Sequence, residues 1–397
     1  MGLSKTAFIV TLCAIALLFP AVSAVAMEPV DGAWKPLKKK VIDVSWSNPT
    51  VDYLEKNIDR MEKEAPLDGL VVRFLAKGKT KDGKDFTVGS NCLMGKTPIK
   101  YEWFMDTIVK YKSIPFKKFT DNFFYAVVSP GNMDWFSDSD WEAVCNNFGI
   151  ASKIAKEVGM RGILFDPEEY AEKFWDYSTV KGDHSFAECV KIARQRGQQF
   201  GNAIFKEYPD IKIFCLSLLS LESGRSLIHS FYNGVYDVMP PTAIMIEGCE
   251  ALGYAAKRPG DYDDMRLNMD RGLLPLVASS NYSKYRSQTQ LAPAFYMDGI
   301  FVIKDGNYWH DVLKPEIDTF PPTEFLRKNL MYALKISDEY VWIYGECASW
   351  WSNSEHPRAQ QTWEQIIPGV TGAIKQATDP YNLDFSKKIN LIKNPKC

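Results

Sequence analysis

The chain of 397 residues sets 47 lysines and arginines against 49 aspartates and glutamates, a net charge of −2, with 46% hydrophobic residues. Its basic clusters are short, Lys38-Lys39-Lys40 among them, and carry no interleaved aromatics, which argues against a nucleic-acid partner. The four histidines, His184, His229, His310 and His356, stand far apart with no HxxxH or HxH pair, and there is no GxSxG elbow. A histidine-rich metal site and a Ser-His-Asp hydrolase are therefore disfavoured, and no cofactor is expected.

The N-terminus places Lys5 before an apolar run from Ala7 to Leu18, then Pro20 and the small residues Val22-Ser23-Ala24. That order predicts a secretory signal peptide over residues 1–24 and a secreted or periplasmic protein. The run is shorter than the roughly 20 apolar residues of a spanning helix, and no later stretch is long and uncharged enough to span. Residues 25–397 are expected to form a single domain with a short C-terminal tail. Beyond Cys13, the cysteines of the chain are scattered without a CxxC pair, and Cys145, Cys189 and Cys215 lie in apolar, core-like patterns.

Short apolar runs then alternate with amphipathic stretches. Val41 to Trp46 reads as a first strand, and Val51, Leu54, Ile58, Met61 and Ala65 form a helical stripe that Thr50 can cap. Leu70 to Phe74 is the second strand, followed by a long insertion with one helix near Tyr101 to Tyr111. Phe123 to Val128 is the third strand, and a helix from Ser139 to Val158 stops at Gly159. Gly162 to Asp166 is the fourth, and Ser185 and Glu188 have the spacing of a capping box for a helix reaching Glu207. Ile211 to Leu216, Ala243 to Ile246, Leu291 to Met297 and Tyr340 to Tyr344 complete eight strands, with helices from Thr323 to Leu334 and from about Ala359 to Ile366 or further. Strands apolar on both faces, alternating with helices, predict an α/β fold, a (β/α)8 TIM barrel with long βα loops. A doubly wound open sheet is the alternative, but no GxGxxG or GxxxxGK[ST] follows the first strand.

Polar and aromatic residues gather at the strand ends, where such a barrel builds its site. Pro167 cannot donate to a ladder, so pairing should end near Asp166, and an extended backbone puts Asp166 and Glu168 on one face with Glu169 turned away. Two close carboxyls raise one pKa, which suits a general acid. The catalytic expectation is Glu168 as acid, Asp166 tuning it and Glu346 as the second carboxylate, with Glu250 and Glu247 in reserve. Expected substrate contacts are Trp46, Arg73, Asn132, Trp135, Tyr170, Glu247, Tyr344, Trp350 and Trp351, because indole faces stack on sugar C–H faces and Arg and Asn donate to hydroxyls or carboxylates. Trp141 and Trp342 fit core positions. The competing reading makes Arg73 a neutralising partner of Asp43 or Asp166, and the acids ordinary helix-start residues.

The segments GILFDPEEY (162–170), IMIEGCE (244–250) and SDEYVWIYGECASWW (337–351) resemble the strand-four, strand-six and strand-eight segments of secreted, largely uncharacterised glycoside-hydrolase-like TIM-barrel proteins. The D-x-E-x-Y of Asp166, Glu168 and Tyr170 is similar to the end of the strand-four motif of chitinase-like hydrolases, whose glutamate is the acid. The earlier aspartates of that motif are replaced here by the non-acidic Gly162 to Phe165. The resemblance implies cleavage of glycosidic bonds in a polysaccharide or glycan and names no sugar. Two rivals share the same residues: a carbohydrate-binding barrel without turnover, and a metal-dependent hydrolase with Asp166, Glu168, Glu247 and Glu346 as oxygen ligands.

Overall fold

The computed structural model describes residues 39–45, 48–79, 82–170, 173–221, 225–300, 321–351 and 360–379. The expected leader, Trp46 and the C-terminal tail lie outside the described residues. The strands are β1 (Lys40–Asp43), β2 (Gly69–Val72), β3 (Leu75–Lys79), β4 (Asp85–Gly89), β5 (Phe123–Val127), β6 (Gly162–Asp166), β7 (Lys212–Cys215), β8 (Ile244–Glu247), β9 (Thr289–Leu291), β10 (Ala294–Tyr296) and β11 (Tyr340–Tyr344).

The main sheet runs β10-β11-β1-β2-β5-β6-β7-β8-β9, and every pairing in it is parallel. Only Ala292 and Pro293 separate β9 from β10. β9 pairs with β8 and β10 with β11, so one interrupted strand joins both edges and closes an eight-position barrel. Proline explains the interruption: Pro293 cannot donate, yet its carbonyl still accepts from Trp342 N–H at 3.2 Å, and Ala292 N–H reaches Glu247 O at 2.9 Å. The seventh strand of the sequence reading is thus split and begins two residues earlier.

Alternation builds two cores. Val71, Phe123, Leu164, Phe214, Ile246, Ala294 and Trp342 fill the barrel, while their neighbours Val72, Phe124, Ile163, Ile213 and Met245 face the helical layer. Each large apolar side chain buried this way contributes ~1.5–3 kcal/mol, which is why both faces of these strands are apolar. Close strand packing needs Gly162, where a Cβ would lie 1.8 Å from Lys212 O. The helices start where the sequence places caps: Thr50 accepts from Tyr53 N–H before Val51–Glu64, and Ser185 with Glu188 forms a capping box on Phe186–Glu207. Gly159 takes a φ of +76° after Asp138–Glu157.

The insertion after β2 holds helix Met105–Ser113 as expected, and also an antiparallel β3–β4 hairpin that the reading did not name. Asp82-Gly83 at its tip is the turn signal that predicts it, with Gly83 at φ +78°.

At the amino ends of the strands, charges interlock. Lys40 Nζ lies 2.6 Å from Asp121 and 3.4 Å from Glu339, Arg161 Nε lies 3.0 Å from Asp121, and Lys212 Nζ pairs with Glu339. Tyr340 donates its hydroxyl to Asp121 at 2.9 Å. Burial pushes both acids up, but these donors outweigh it and hold Asp121 and Glu339 below their usual values.

Candidate active site

The carboxyl end of β6 carries the first group. Ladder bonding ends at Asp166, whose carbonyl accepts from Val128 N–H at 2.9 Å. Asp166 shares the inward face of Leu164 and is buried. Its Oδ1 accepts from Glu168 N–H at 2.9 Å and its Oδ2 from Tyr170 O–H at 3.0 Å, while the same hydroxyl lies 2.7 Å from Glu168 Oε2. One phenol therefore bridges the two carboxyls. Burial, then the charge of Glu168, pushes Asp166 up to about 7. Glu169 is turned elsewhere and accepts from Trp175 backbone N–H.

The end of β8 carries the second group. Glu247 shares the outward face of Met245 and is fully buried. It accepts from the N–H groups of Leu218, Leu219, Ser220 and Cys249 and from the Ser220 hydroxyl, at 2.7–3.2 Å. Its expected role as a substrate contact is replaced by a structural one: it pins the loop after β7 to the end of β8. Gly248 makes room for this contact, since a Cβ there would meet Leu216 O at 2.4 Å. Cys249 then takes a left-handed φ of +47°, rare for a residue with a side chain, and the chain enters helix Glu250–Ala255.

That sharp turn sets Glu250 beside the first group. Ser217 O–H lies 3.4 Å from its Oε2. Burial, then the charges of Glu168 and Asp166, pushes Glu250 up to about 8. Glu250, ranked behind Glu346 on sequence, is the carboxyl whose charge environment ties it to Asp166 and Glu168.

Glu346 stands at the end of β11. Its carboxylate accepts from Tyr344 O–H at 2.9 Å, and its backbone N–H is held by Asp298 at 2.6 Å. Its charge acts on Asp298 and Tyr296. Between Glu250 and Glu346 lies a tyrosine cluster: Tyr254 and Tyr344 stack at 5.6 Å and 20°, and Tyr254 and Tyr296 meet tilted at 4.8 Å and 32°.

The expected aromatic platforms are mostly elsewhere. Trp135 is buried, stacks on Phe174 at 4.5 Å and donates to its carbonyl. Trp350 and Trp351 are 3% and 0% exposed. Ser349 N–H bonds Gln361 O and Trp363 N–H bonds Ser349 O, which folds a later segment over the pair. These three tryptophans belong to the core, where truncating an indole costs ~3–5 kcal/mol. Tyr170, 63% exposed, is the aromatic that stands open at the mouth. Asn132 is exposed on the loop after β5, near Gly95.

Two neighbours on the inner wall complete the mouth. The β2–β5 register pairs Val71 with Phe123 and Val72 with Phe124, and its continuation sets Arg73 opposite Tyr125. Val71 and Phe123 are interior residues, so Arg73 and Tyr125 share that face one step higher. Burial raises the Tyr125 phenol, and the charges acting on it are those of Asp166, Arg73, Glu168 and Glu250. Tyr125 is not singled out in the sequence, although the alternation from Phe123 marks it as inward.

Among the described residues, no group of three or more His, Cys, Asp or Glu side chains is arranged to hold a metal ion. The four-acid ligand set considered on sequence is not assembled, because Glu247 faces away from Asp166 and its oxygens are occupied by the β7 loop.

No protein-family model and no curated protein matches the sequence. Several solved structures of TIM-barrel glycoside hydrolases are similar in fold at low identity. They include the catalytic domain of a hyperthermophilic chitinase from Pyrococcus furiosus, with 11% identity over 88% of this chain and 98% of that one and a TM-score of 0.44. A Bacteroides ovatus GH5 xyloglucanase solved with a XXXG heptasaccharide has 11% identity over 86% and 75% of the two chains and a TM-score of 0.44. A glucosidase from Croceicoccus marinus has 11% identity over 87% and 67% and a TM-score of 0.43. The fold assignment itself rests on the strand pairing described above.

Proposed function

We propose that the protein is a glycoside hydrolase whose working carboxyls are Glu168 and Glu250, with the proton on Glu250. The observation that carries this reading is the convergence of Asp166, Glu168 and Glu250 at the barrel mouth, where burial and mutual repulsion push Glu250 up to about 8. A carboxyl held near 8 is protonated at neutral pH and can donate to a glycosidic oxygen as the C–O bond breaks. Glu168 then engages the anomeric carbon directly, or through a water that it deprotonates. Asp166 and Tyr170 position Glu168 through the shared hydroxyl and the Glu168 N–H bond. This moves the acid from Glu168, where the sequence motif suggests it, to Glu250. The open ring of Tyr170 supports a carbohydrate substrate, since its face can stack on a sugar.

The test is hydrolysis of a glycan panel and of aryl glycosides with activated leaving groups. Glu250→Gln is expected to lose most activity on natural glycans and retain it on activated glycosides, which need no acid. Glu168→Gln is expected to lose both. Unchanged glycan binding and unchanged cleavage in Glu168→Gln would sink the catalytic assignment, and glycan binding without any cleavage by the wild type would make the barrel a binding protein. Activity should survive exhaustive chelation, and loss on chelation would favour a metal hydrolase. We also propose export, on the Lys5 to Ala24 pattern, which N-terminal sequencing of the mature protein checks.

A further inference from the structure

We propose that Arg73 and Tyr125 form a subsite for the carboxylate of an acidic sugar, so that the substrate carries a hexuronic acid unit at the barrel mouth. This rests on the glycosidase reading above and adds the substrate class to it.

Arg73 projects from the end of β2 on the inner face, beside Tyr125 on β5, with adjacent strands on the order of 5 Å apart. Its Nε is buried without a hydrogen-bond partner, and it forms no ion pair within 4.0 Å among the described residues. A half-buried guanidinium in that state is costly unless an anion completes it.

The mouth's own acids do not fill that role. Asp166 already accepts from Glu168 N–H and Tyr170 O–H, and it titrates upward, whereas an arginine partner would pull it down. Asp43 shares the outward face of Val41, away from Arg73, and burial pushes it up to about 7 as well. The neutralising role considered for Arg73 on sequence therefore finds no partner in either acid.

A sugar carboxylate fits the pair. The guanidinium offers a planar two-donor fork and Tyr125, whose phenol stays protonated, offers a third donor. Burial raises Asp166 and Glu250 and so lowers the negative charge they present at neutral pH, which leaves Glu168 as the facing carboxylate; a Glu168→Gln background removes that charge. As Asp166 and Glu250 ionise above pH 7–8, binding of an anionic sugar should weaken.

The experiment measures binding of glucuronic acid and galacturonic acid, and of their neutral counterparts glucose and galactose, by calorimetry. It uses the full chain carrying Glu168→Gln, so that turnover does not interfere. The expected result is at least tenfold tighter binding of a uronate than of its neutral counterpart, weakening with salt and above pH 8. Arg73→Gln should abolish that preference, Arg73→Lys should retain part of it, and Tyr125→Phe should reduce it severalfold. Thermal melting of Arg73→Gln should stay level or rise, since an unpaired charge is removed. Equal affinity for neutral and acidic sugars, or a uronate preference unchanged in Arg73→Gln, overturns the subsite. Uronate preference without any cleavage by the wild type would sink the hydrolase and leave this subsite standing, whereas cleavage of neutral glycans alone would do the reverse.

Discussion

At the amino ends of the strands, Lys40, Arg161 and Lys212 interleave with Asp121 and Glu339, and the two acids are held below their usual values. At the carboxyl ends, Asp166 and Glu250 lie with Glu168, and burial and repulsion push them up to about 7 and 8. The residue types are similar and the chain burdens both ends with desolvation. What differs is pairing: cations close the lower ring, while the upper acids face one another. Paired charge at the amino ends supports the fold, and the crowded acids at the carboxyl ends are the group to which the proposed catalysis is assigned.

The largest effects should separate the two ends cleanly. Glu250→Gln is expected to lower kcat/KM on natural glycans by about 10²–10⁴-fold, the usual contribution of a positioned acid, with melting temperature held or raised. The wild-type rate should fall as pH rises through about 8, where Glu250 loses its proton, and that alkaline limb should vanish in the variant. An alkaline limb that persists in Glu250→Gln would assign the acid elsewhere.

Asp121→Ala should do the opposite. It leaves Lys40, Arg161 and the Tyr340 hydroxyl without their common acceptor, and breaking such a buried network costs about 3–5 kcal/mol. Chemical denaturation should show that loss, while kcat at a temperature where the variant is folded stays near wild type. Comparable loss of activity and stability together would mean that the two ends are not independent.

The two ends also predict opposite slopes of stability against pH. Asp121 and Glu339 are depressed, so their contribution is present above the ordinary carboxylate range and is lost as pH falls through their folded values. Asp166 and Glu250 are raised, so the folded state binds more protons than the unfolded one between about 4 and their raised values. Stability from that end therefore declines as pH climbs toward 7–8. Melting curves should peak at mildly acidic pH, with Glu250→Gln flattening the upper limb and Asp121→Asn the lower one. An unchanged upper limb in Glu250→Gln would contradict the burial ascribed to that carboxyl.

Much of the barrel was legible because its strands are apolar on both faces and short, and β11 matches its expected bounds at Tyr340 and Tyr344. Pairing ended at Asp166 for the reason that Pro167 gives. The site was legible only in part. Glu247 was ranked by its place at a strand end, yet its parity with Met245 already turns it outward. Glu250 reaches the mouth through a left-handed Cys249, a conformation that no sequence rule assigns to cysteine. Trp350 and Trp351 looked like loop platforms because the segment that covers them, near Trp363, is distant in sequence. Tyr125 was recoverable from alternation alone, once Phe123 is set inside the barrel.

The smallest effect sharpens the upper end alone. Tyr170 is exposed and its hydroxyl is shared by Asp166 and Glu168, so Tyr170→Phe removes one bridge and almost no packing. Losing a hydrogen bond to a charged group is worth ~1.5–3 kcal/mol at most, and solvent at an open mouth replaces part of it. We expect a drop in kcat of about tenfold, with KM and melting temperature little changed. The O–H bond lowers Asp166, so its loss should lift that carboxyl further, which titration of Asp166 in the variant checks. Should KM rise instead with kcat unchanged, Tyr170 acts as a stacking platform for the sugar, and Glu168 holds its position without the bridge.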